Sequence, residues 1–100
     1  MTAYWLARSK IVDSVEYKKY TDLVPEILKK HGGIVLARGA QSETLEGPDT
    51  FERFVVVEFP PFEAATVCFN SEEYSDAAKF RRSGAGINEL TIVDAGDTTK

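Results

Sequence analysis

The residues best suited to ligand chemistry are arginines at the boundaries of apolar segments. Arg8 and Arg38 end two such segments, Arg53 begins a third, and Arg81 follows a helical stretch. A guanidinium offers a planar fork of donors that matches a carboxylate or a phosphate. These residues therefore predict an anion-binding site, with Arg38 as its leading member. In the structural alternative, the same arginines form ion pairs with nearby carboxylates, namely Glu46, Glu52 and Asp94.

A second candidate is Glu58, which ends an apolar strand just before a double proline. A carboxylate close to His31 would raise the pKa of the imidazole and form an acid–base pair with it. In the structural interpretation, Glu58 accepts hydrogen bonds from backbone N–H groups or a tyrosine hydroxyl, because a buried carboxylate must be satisfied whatever its role. His31, the only histidine, precedes Gly32-Gly33 and is typical of a cation at a helix C-terminus. The structural interpretation is preferred for both residues.

Aromatic and sulfur-containing side chains supply the remaining candidates. Tyr20 lies on the apolar stripe of the first helix and Trp5 on the first strand, so both are core residues by default. If a pocket opens between that helix and the sheet, both would line it, and the Tyr20 hydroxyl could orient a substrate. Cys68, between Val67 and Phe69, is expected to be an inert core thiol. A single histidine argues against a metal centre, and no bound cofactor is expected.

The composition narrows the class of protein. A chain of 100 residues with a net charge of −4 is expected to form one domain over residues 1–96, with a frayed polar tail at 97–100. The acidic balance argues against a nucleic-acid platform, which needs clustered Lys and Arg. A single cysteine suits a reducing compartment, and neither a membrane-spanning run nor a signal-peptide pattern is recognised. The expected location is the cytoplasm, with no nucleic-acid or membrane partner.

The elements that must position these residues follow the order strand, helix, strand, strand, helix, strand. Asp13 is a natural N-cap for the first helix, Glu16 is placed to complete a capping box, and Pro25 should kink or divide that helix. The second helical stretch should break near Asn70 or Ser71. Two split βαβ units of this kind predict a ferredoxin-like βαββαβ α+β sandwich, in which an antiparallel sheet of order 4-1-3-2 carries both helices on one face.

The strands carry apolar residues at both odd and even positions. A sheet with one face exposed to water usually alternates apolar and polar residues. Val55 and Val57 alternate with Phe54 and Val56, so neither face of this strand is polar. The helices are expected to cover one face, and the other face needs a second cover. The pattern therefore predicts a homodimer in which two chains pack sheet against sheet.

The predicted topology gathers the arginines. In a 4-1-3-2 antiparallel sheet, the ends of strands one and two lie at the same rim as the start of strand three, which places Arg8, Arg38 and Arg53 together. The long connection that carries Glu46 begins and ends at that rim, and the second helix should bring Arg81 to it. The carboxylate at the end of the third strand is expected at the opposite rim.

Several short motifs resemble one known family. They include Glu46-Gly47 in the long connection, the run VVVEFP from Val55 to Pro60, and SEEY from Ser71 to Tyr74 followed by Arg81. Together they resemble a small bacterial family catalogued as domain of unknown function 1330. The resemblance implies a dimeric α+β barrel, in which two ferredoxin-like protomers join their sheets, and no established activity. The wider superfamily includes cofactor-independent monooxygenases, isomerases and haem-handling enzymes, so the fold alone decides little about function.

The expected function is the binding or transformation of a small anionic or aromatic metabolite in a cleft between the sheet and the helices. No nucleophile–base pair separates an enzyme from a binder. The alternative is a non-catalytic interaction or stress protein whose role is the assembly itself. The expected ligand contacts are Arg38, Arg53, Arg8, Arg81, Glu46 and Trp5, and the candidates for catalysis are Glu58, His31 and Tyr20.

Overall fold

A computed structural model describes residues 2–96, and the predicted tail at 97–100 lies outside this range. Strands and helices follow the order β1 (Ala3–Ile11), α1 (Ser14–Lys30), β2 (Ile34–Ala37), β3 (Arg53–Phe59), α2 (Phe62–Asn70), α3 (Glu72–Phe80) and β4 (Gly86–Asp94). A wide turn over Arg81–Ala85 joins α3 to β4. Over the described range, no helix has the length and apolarity needed to cross a bilayer.

The four strands form one antiparallel sheet in the order β2-β3-β1-β4, which confirms the predicted 4-1-3-2 topology. The register pairs Arg53 with Ser9 and Ser9 with Asn88, so these residues form one row across β3, β1 and β4. Alternate residues of a strand point to opposite faces, so this row shares its face with Trp5. That tryptophan is buried under the helices, and we call this side the inner face.

The start of α1 follows the sequence pattern in one respect and departs from it in another. The Asp13 carboxylate accepts hydrogen bonds from the backbone N–H groups of Val15 and Glu16, as expected for an N-cap. The capping box does not form. The Glu16 side chain binds Lys19 instead, and the N–H of Asp13 donates to the carbonyl of Ala85.

Pro25 does not divide α1, which runs without a break from Ser14 to Lys30. Proline removes one helical hydrogen bond, but Tyr20 before it and Leu28 after it are both buried in the same core. Helix stability in proteins comes mainly from packing of this kind. Of the two expected effects, a kink or a division, the division does not occur, because tertiary packing outweighs the local preference.

The second helical stretch does break where the sequence predicted. Ser71 has extended backbone dihedrals that end α2, and its Oγ accepts a hydrogen bond from the Tyr74 N–H at 3.2 Å. The same hydroxyl donates to the Cys68 carbonyl at 2.7 Å. This serine therefore terminates one helix and caps the next, which seats α2 and α3 separately on the sheet.

The core lies between the helices and the inner face. Trp5 contacts Phe59, Phe69 and Tyr74 through ring centroids 5.3–6.0 Å apart. Cys68 is fully buried here, and burial raises the pKa of its thiol to about 11. The thiol is therefore protonated at neutral pH, as expected for an inert core residue.

The other side of the sheet, which we call the outer face, carries no helix within residues 2–96 and presents both apolar and charged side chains. Its parity contains Leu6, Phe54, Val56, Ile87 and Val93. Leu6 is 41% exposed and Ile87 is 56% exposed. The sheet thus has one face that the helices cover and one face that they leave uncovered.

Candidate functional site

A narrow cavity of about 40 Å³ lies between α1 and the inner face of the sheet. All four strands supply its floor and α1 supplies its roof. One part of the wall is apolar, and its residues are Trp5, Ala7, Val24, Leu28, Val35 and Val55. We refer to this space as the α1 cavity. This part of its wall offers apolar contact rather than the polar groups that a sugar or a metal ion needs.

The other part of the α1 cavity is polar. The row of Arg53, Ser9 and Asn88 reaches it from the sheet, and Tyr17 reaches it from α1. Ser9 is only 3% exposed, and the guanidinium carbon of Arg53 lies 5.9 Å from the centre of the Tyr17 ring. One end of the cavity thus offers a cation and hydroxyl groups, while the rest offers apolar contact.

The α1 cavity opens into a wider depression of about 570 Å³ at the rim of the sheet. The two spaces share the side chains of Tyr17, Thr21, Pro25, Arg38 and Arg53, so they form one continuous cleft. Neither arginine at this mouth forms an ion pair with a carboxylate in the described part of the chain. Both guanidinium groups are therefore available to an anion that enters the cleft.

Tyr17 and Asn88 are joined across the layers by a short hydrogen bond. The Asn88 Nδ2 donates to the Tyr17 hydroxyl at 2.7 Å. The Oδ1 of the same amide is buried and has no hydrogen-bond partner within residues 2–96. Buried polar atoms are nearly always satisfied, so this oxygen needs a partner that the described residues do not supply.

A second polar chain lies on the far side of α1. The Arg81 guanidinium donates to the Tyr74 hydroxyl at 3.2 Å, and the Tyr74 and Tyr20 hydroxyls are 2.8 Å apart. Burial and the neighbouring Tyr74 raise the pKa of Tyr20 far above its usual range, so Tyr20 stays protonated. Burial lowers the pKa of Arg81, but its contacts with Tyr74 and Tyr20 outweigh this effect and raise the pKa overall.

The predicted group of arginines is divided by the structure. Arg38 and Arg53 meet at the mouth of the cleft. Arg8 lies on the outer face, where its Nη2 is 2.6 Å from the Glu89 carboxylate and its guanidinium stacks on Phe51. Arg81 is 8% exposed and belongs to the core rather than to the mouth. The predicted ligand-binding arginines therefore lie on different faces of the sheet, and they differ in how deeply they are buried.

The carboxylates of the structural alternative are placed elsewhere. Glu52 accepts a hydrogen bond from the Ile11 N–H, and the partner of Arg8 is Glu89 rather than Glu46, Glu52 or Asp94. Glu46 is exposed in the connection between β2 and β3 and does not line the α1 cavity.

Glu58 and His31 do not form the ion pair that the sequence left open. Glu58 lies on the outer face, opposite Tyr4 and Ile34 in the sheet. His31 follows the last residue of α1, its Nδ1–H donates to the Ile27 carbonyl at 3.0 Å, and its Nε2 is 3.8 Å from Glu73. The two residues therefore belong to different layers, because strand parity turns Glu58 away from the helices.

Trp5 and Tyr20 line the α1 cavity, but the sequence did not predict that Ser9, Tyr17 and Asn88 lie beside them. Tyr17 is 2% exposed and precedes Tyr20 by three residues, which is helical spacing on one face. Ser9 shares the parity of Trp5, and Asn88 shares that of Leu90. The sequence signal that could have revealed them is a polar residue at a strand position whose side chain points to the inner face.

No metal site accompanies this cleft in the part of the chain that the structure describes. Groups of three or more His, Cys, Asp or Glu side chains at metal-binding distance are absent between residues 2 and 96. The donors that line the cleft are guanidinium, hydroxyl and amide groups, which recognise oxygen anions and hydroxyls rather than cations.

Comparison with known proteins places the fold. A family model described as a domain of unknown function, DUF1330, matches residues 2–95. Comparison with curated proteins gives no match.

Among solved structures, a protein of unknown function from Rhodopseudomonas palustris is 17% identical, with a TM-score of 0.74 over 96% of this chain and 83% of that one. The cofactor-independent oxygenase SnoaB from Streptomyces nogalater is 12% identical, with a TM-score of 0.66 over 98% of this chain and 96% of that one. A dimeric protein of unknown function from Bacteroides fragilis, with a ferredoxin-like fold, is 12% identical, with a TM-score of 0.65 over 94% of this chain and 96% of that one. At these identities the likeness establishes the ferredoxin-like fold.

Proposed function

This chain belongs to the DUF1330 family, and we propose that it binds a small carboxylate with an apolar or aromatic body in the cleft beneath α1. The observation that carries the proposal is the pair Arg38 and Arg53 at the mouth, both without a carboxylate partner in the described residues. The apolar wall behind them holds the body of the ligand. A guanidinium pair at the mouth then holds the anion.

The charge arrangement supports an anion rather than a neutral ligand. The side chains shared by the α1 cavity and the outer depression include two cations, while the nearest acid of the depression is Asp22, which binds Lys18. Partial burial of Arg53 against the Tyr17 ring lowers the local dielectric and strengthens its attraction for a carboxylate. Binding is the function proposed. The arrangement contains no acid–base pair of the kind that a hydrolytic reaction needs.

Isothermal titration calorimetry with two ligands of the same shape tests this proposal. We expect 3-phenylpropanoate to bind, and 3-phenylpropanamide, which lacks the charge, to bind at least about tenfold more weakly, since a charged hydrogen bond contributes ~1.5–3 kcal/mol. Arg53→Gln should reduce the affinity for the acid to that for the amide. Equal binding of both ligands, or binding of neither at millimolar concentration, would contradict the proposal.

We also propose that two chains associate through the outer face. The exposed apolar side chains of this face, such as Leu6 and Ile87, are of the kind that a partner sheet covers. The dimeric protein from Bacteroides fragilis shares the fold. Sedimentation at micromolar concentration should give twice the chain mass of 11.1 kDa. A single 11.1 kDa species would overturn this part. A dimer that binds neither probe would instead favour a role in which the assembly itself is the function.

A further inference from the structure

The polar end of the α1 cavity has more hydrogen-bonding capacity than a carboxylate on Arg53 would use. The Tyr17 hydroxyl accepts a hydrogen bond from Asn88, and its own proton has no acceptor among the described residues. The Asn88 Oδ1 is likewise buried and unpaired there. One donor and one acceptor are thus left without partners on two residues that line the same cavity.

The backbone around this pair leaves no room for the two side chains to turn towards other partners. A Cβ on Gly86 would lie 2.5 Å from the Tyr17 ring and 3.0 Å from the Asn88 Oδ1. The ring also packs edge-on against Tyr20, with centroids 5.5 Å apart. The Tyr17 hydroxyl is therefore held in place by packing on several sides. Such pre-organisation is what a recognition group requires.

We infer that Tyr17 recognises a hydroxyl group on the carbon next to the ligand carboxylate, so that the ligand class is 2-hydroxy carboxylic acids with an apolar or aromatic side chain. A hydroxyl donates one hydrogen bond and accepts others, which complements a free donor beside a free acceptor. The Arg53 guanidinium carbon lies 5.9 Å from the centre of the Tyr17 ring, so the inferred hydroxyl is placed near the carboxylate. Asn88 is a positioning residue, because it donates to Tyr17 and leaves the tyrosine proton for the ligand. This inference rests on the proposed function.

The test compares two acids that differ by one oxygen. Calorimetry should show that 3-phenyllactate binds roughly five- to tenfold more tightly than 3-phenylpropanoate, as expected for one added hydrogen bond to a buried partner. Tyr17→Phe should reduce this ratio to about one. Asn88→Asp replaces the donor with an acceptor, so Tyr17 must donate to it, and the ratio should again fall to about one.

Tyr74→Phe is the matched control, because it removes a hydroxyl that bonds Tyr20 and Arg81 rather than lining the cavity. It should lower the melting temperature and preserve the ratio. Equal affinity of the wild-type protein for both acids would overturn the inference while leaving the proposed function intact. A ratio that survives Tyr17→Phe would overturn the role of Tyr17. Binding of neither acid would overturn the inference together with the proposed function.

Discussion

Two neighbouring rows of the sheet carry one arginine each, and the two arginines differ in the side chains next to them. On the outer face, Arg8 faces Glu89 across the strands and binds its carboxylate at 2.6 Å. On the inner face, one residue along the register, Arg53 faces Ser9, with Asn88 beyond it. The first arginine is already neutralised by the protein. The second has hydroxyl and amide neighbours, and we expect a ligand to neutralise it.

The proposed site differs from the Arg8 pair because it combines partial burial with a charge that has no carboxylate partner in the described residues. The Arg8 pair is about half exposed, and surface pairs of this kind contribute about 0–1 kcal/mol. Arg53 is partly covered by the Tyr17 ring, in a place where water screens charge less. The same residue type thus serves the surface on one face and a cleft on the other.

The largest effect should come from placing a charge on each face in turn. Val55→Asp puts an unpaired carboxylate into the inner layer and should cost more than about 3 kcal/mol, enough to unfold the chain. Val56→Asp puts the same charge on the outer face and should leave a folded monomer. Circular dichroism and sedimentation separate these outcomes. A folded Val55→Asp variant would mean that the two faces have been assigned in the wrong order.

A smaller but still large effect should follow from Gly86→Ala. The new Cβ would lie 2.5 Å from the Tyr17 ring, so the ring must move, at a cost of about 1–3 kcal/mol. Thermal unfolding should show the loss, and binding of 3-phenylpropanoate should weaken with it. Gly39→Ala is the control, because a Cβ there meets no atom within 4 Å. Equal melting temperatures for the two variants would contradict the packing around Tyr17.

Replacing each arginine in turn tests whether the two faces differ in anion binding. Arg53→Gln should weaken binding of 3-phenylpropanoate by roughly tenfold or more, since it removes a charged contact. Arg8→Gln should leave that affinity unchanged, because its guanidinium binds Glu89 on the opposite face. Calorimetry measures both. A similar loss in the two variants would show that the anion does not discriminate between the faces.

The smallest effect concerns the buried thiol of the helical layer. Burial raises the pKa of Cys68 to about 11 from an ordinary value of 9.0, so the folded chain holds the thiol proton more tightly than the unfolded chain does. This contribution is complete below pH 9.0 and is lost as the pH rises towards 11. Denaturant unfolding should show a loss of roughly 1 kcal/mol at pH 10. Cys68→Ala should remove that part of the pH dependence, and an unchanged pH profile would contradict the assignment.

Much of the architecture could be predicted because its signals are local or periodic. The Asp13 cap, the Ser71 break and the order of strands and helices are properties of short segments. Apolar residues at both odd and even positions of the strands also indicated that the face left uncovered by the helices would carry apolar side chains. Pro25 was the exception, since packing of Tyr20 and Leu28 overrode a local preference.

The site was harder to predict, since its members lie in different elements. Arg8 and Arg53 were grouped by rim, although their parities assign them to opposite faces. Strand alternation could have separated them. Arg8 is three residues from Trp5 and so points to the opposite face, whereas Arg53 is two residues from Val55 and points to the same face. The bond from Asn88 to Tyr17 joins residues 71 positions apart, and no local pattern reports such a contact.

Local signals were enough to predict the order of elements, the Asp13 and Ser71 caps and the excess of apolar strand residues, because these depend on neighbouring residues and on side-chain periodicity. Only the tertiary structure decided which arginine is paired and which is free, because that depends on the register of three strands. It also decided that Tyr17 leans over Arg53 and bonds Asn88. Packing brings those residues together, and the proposed chemistry of the cleft follows from that proximity.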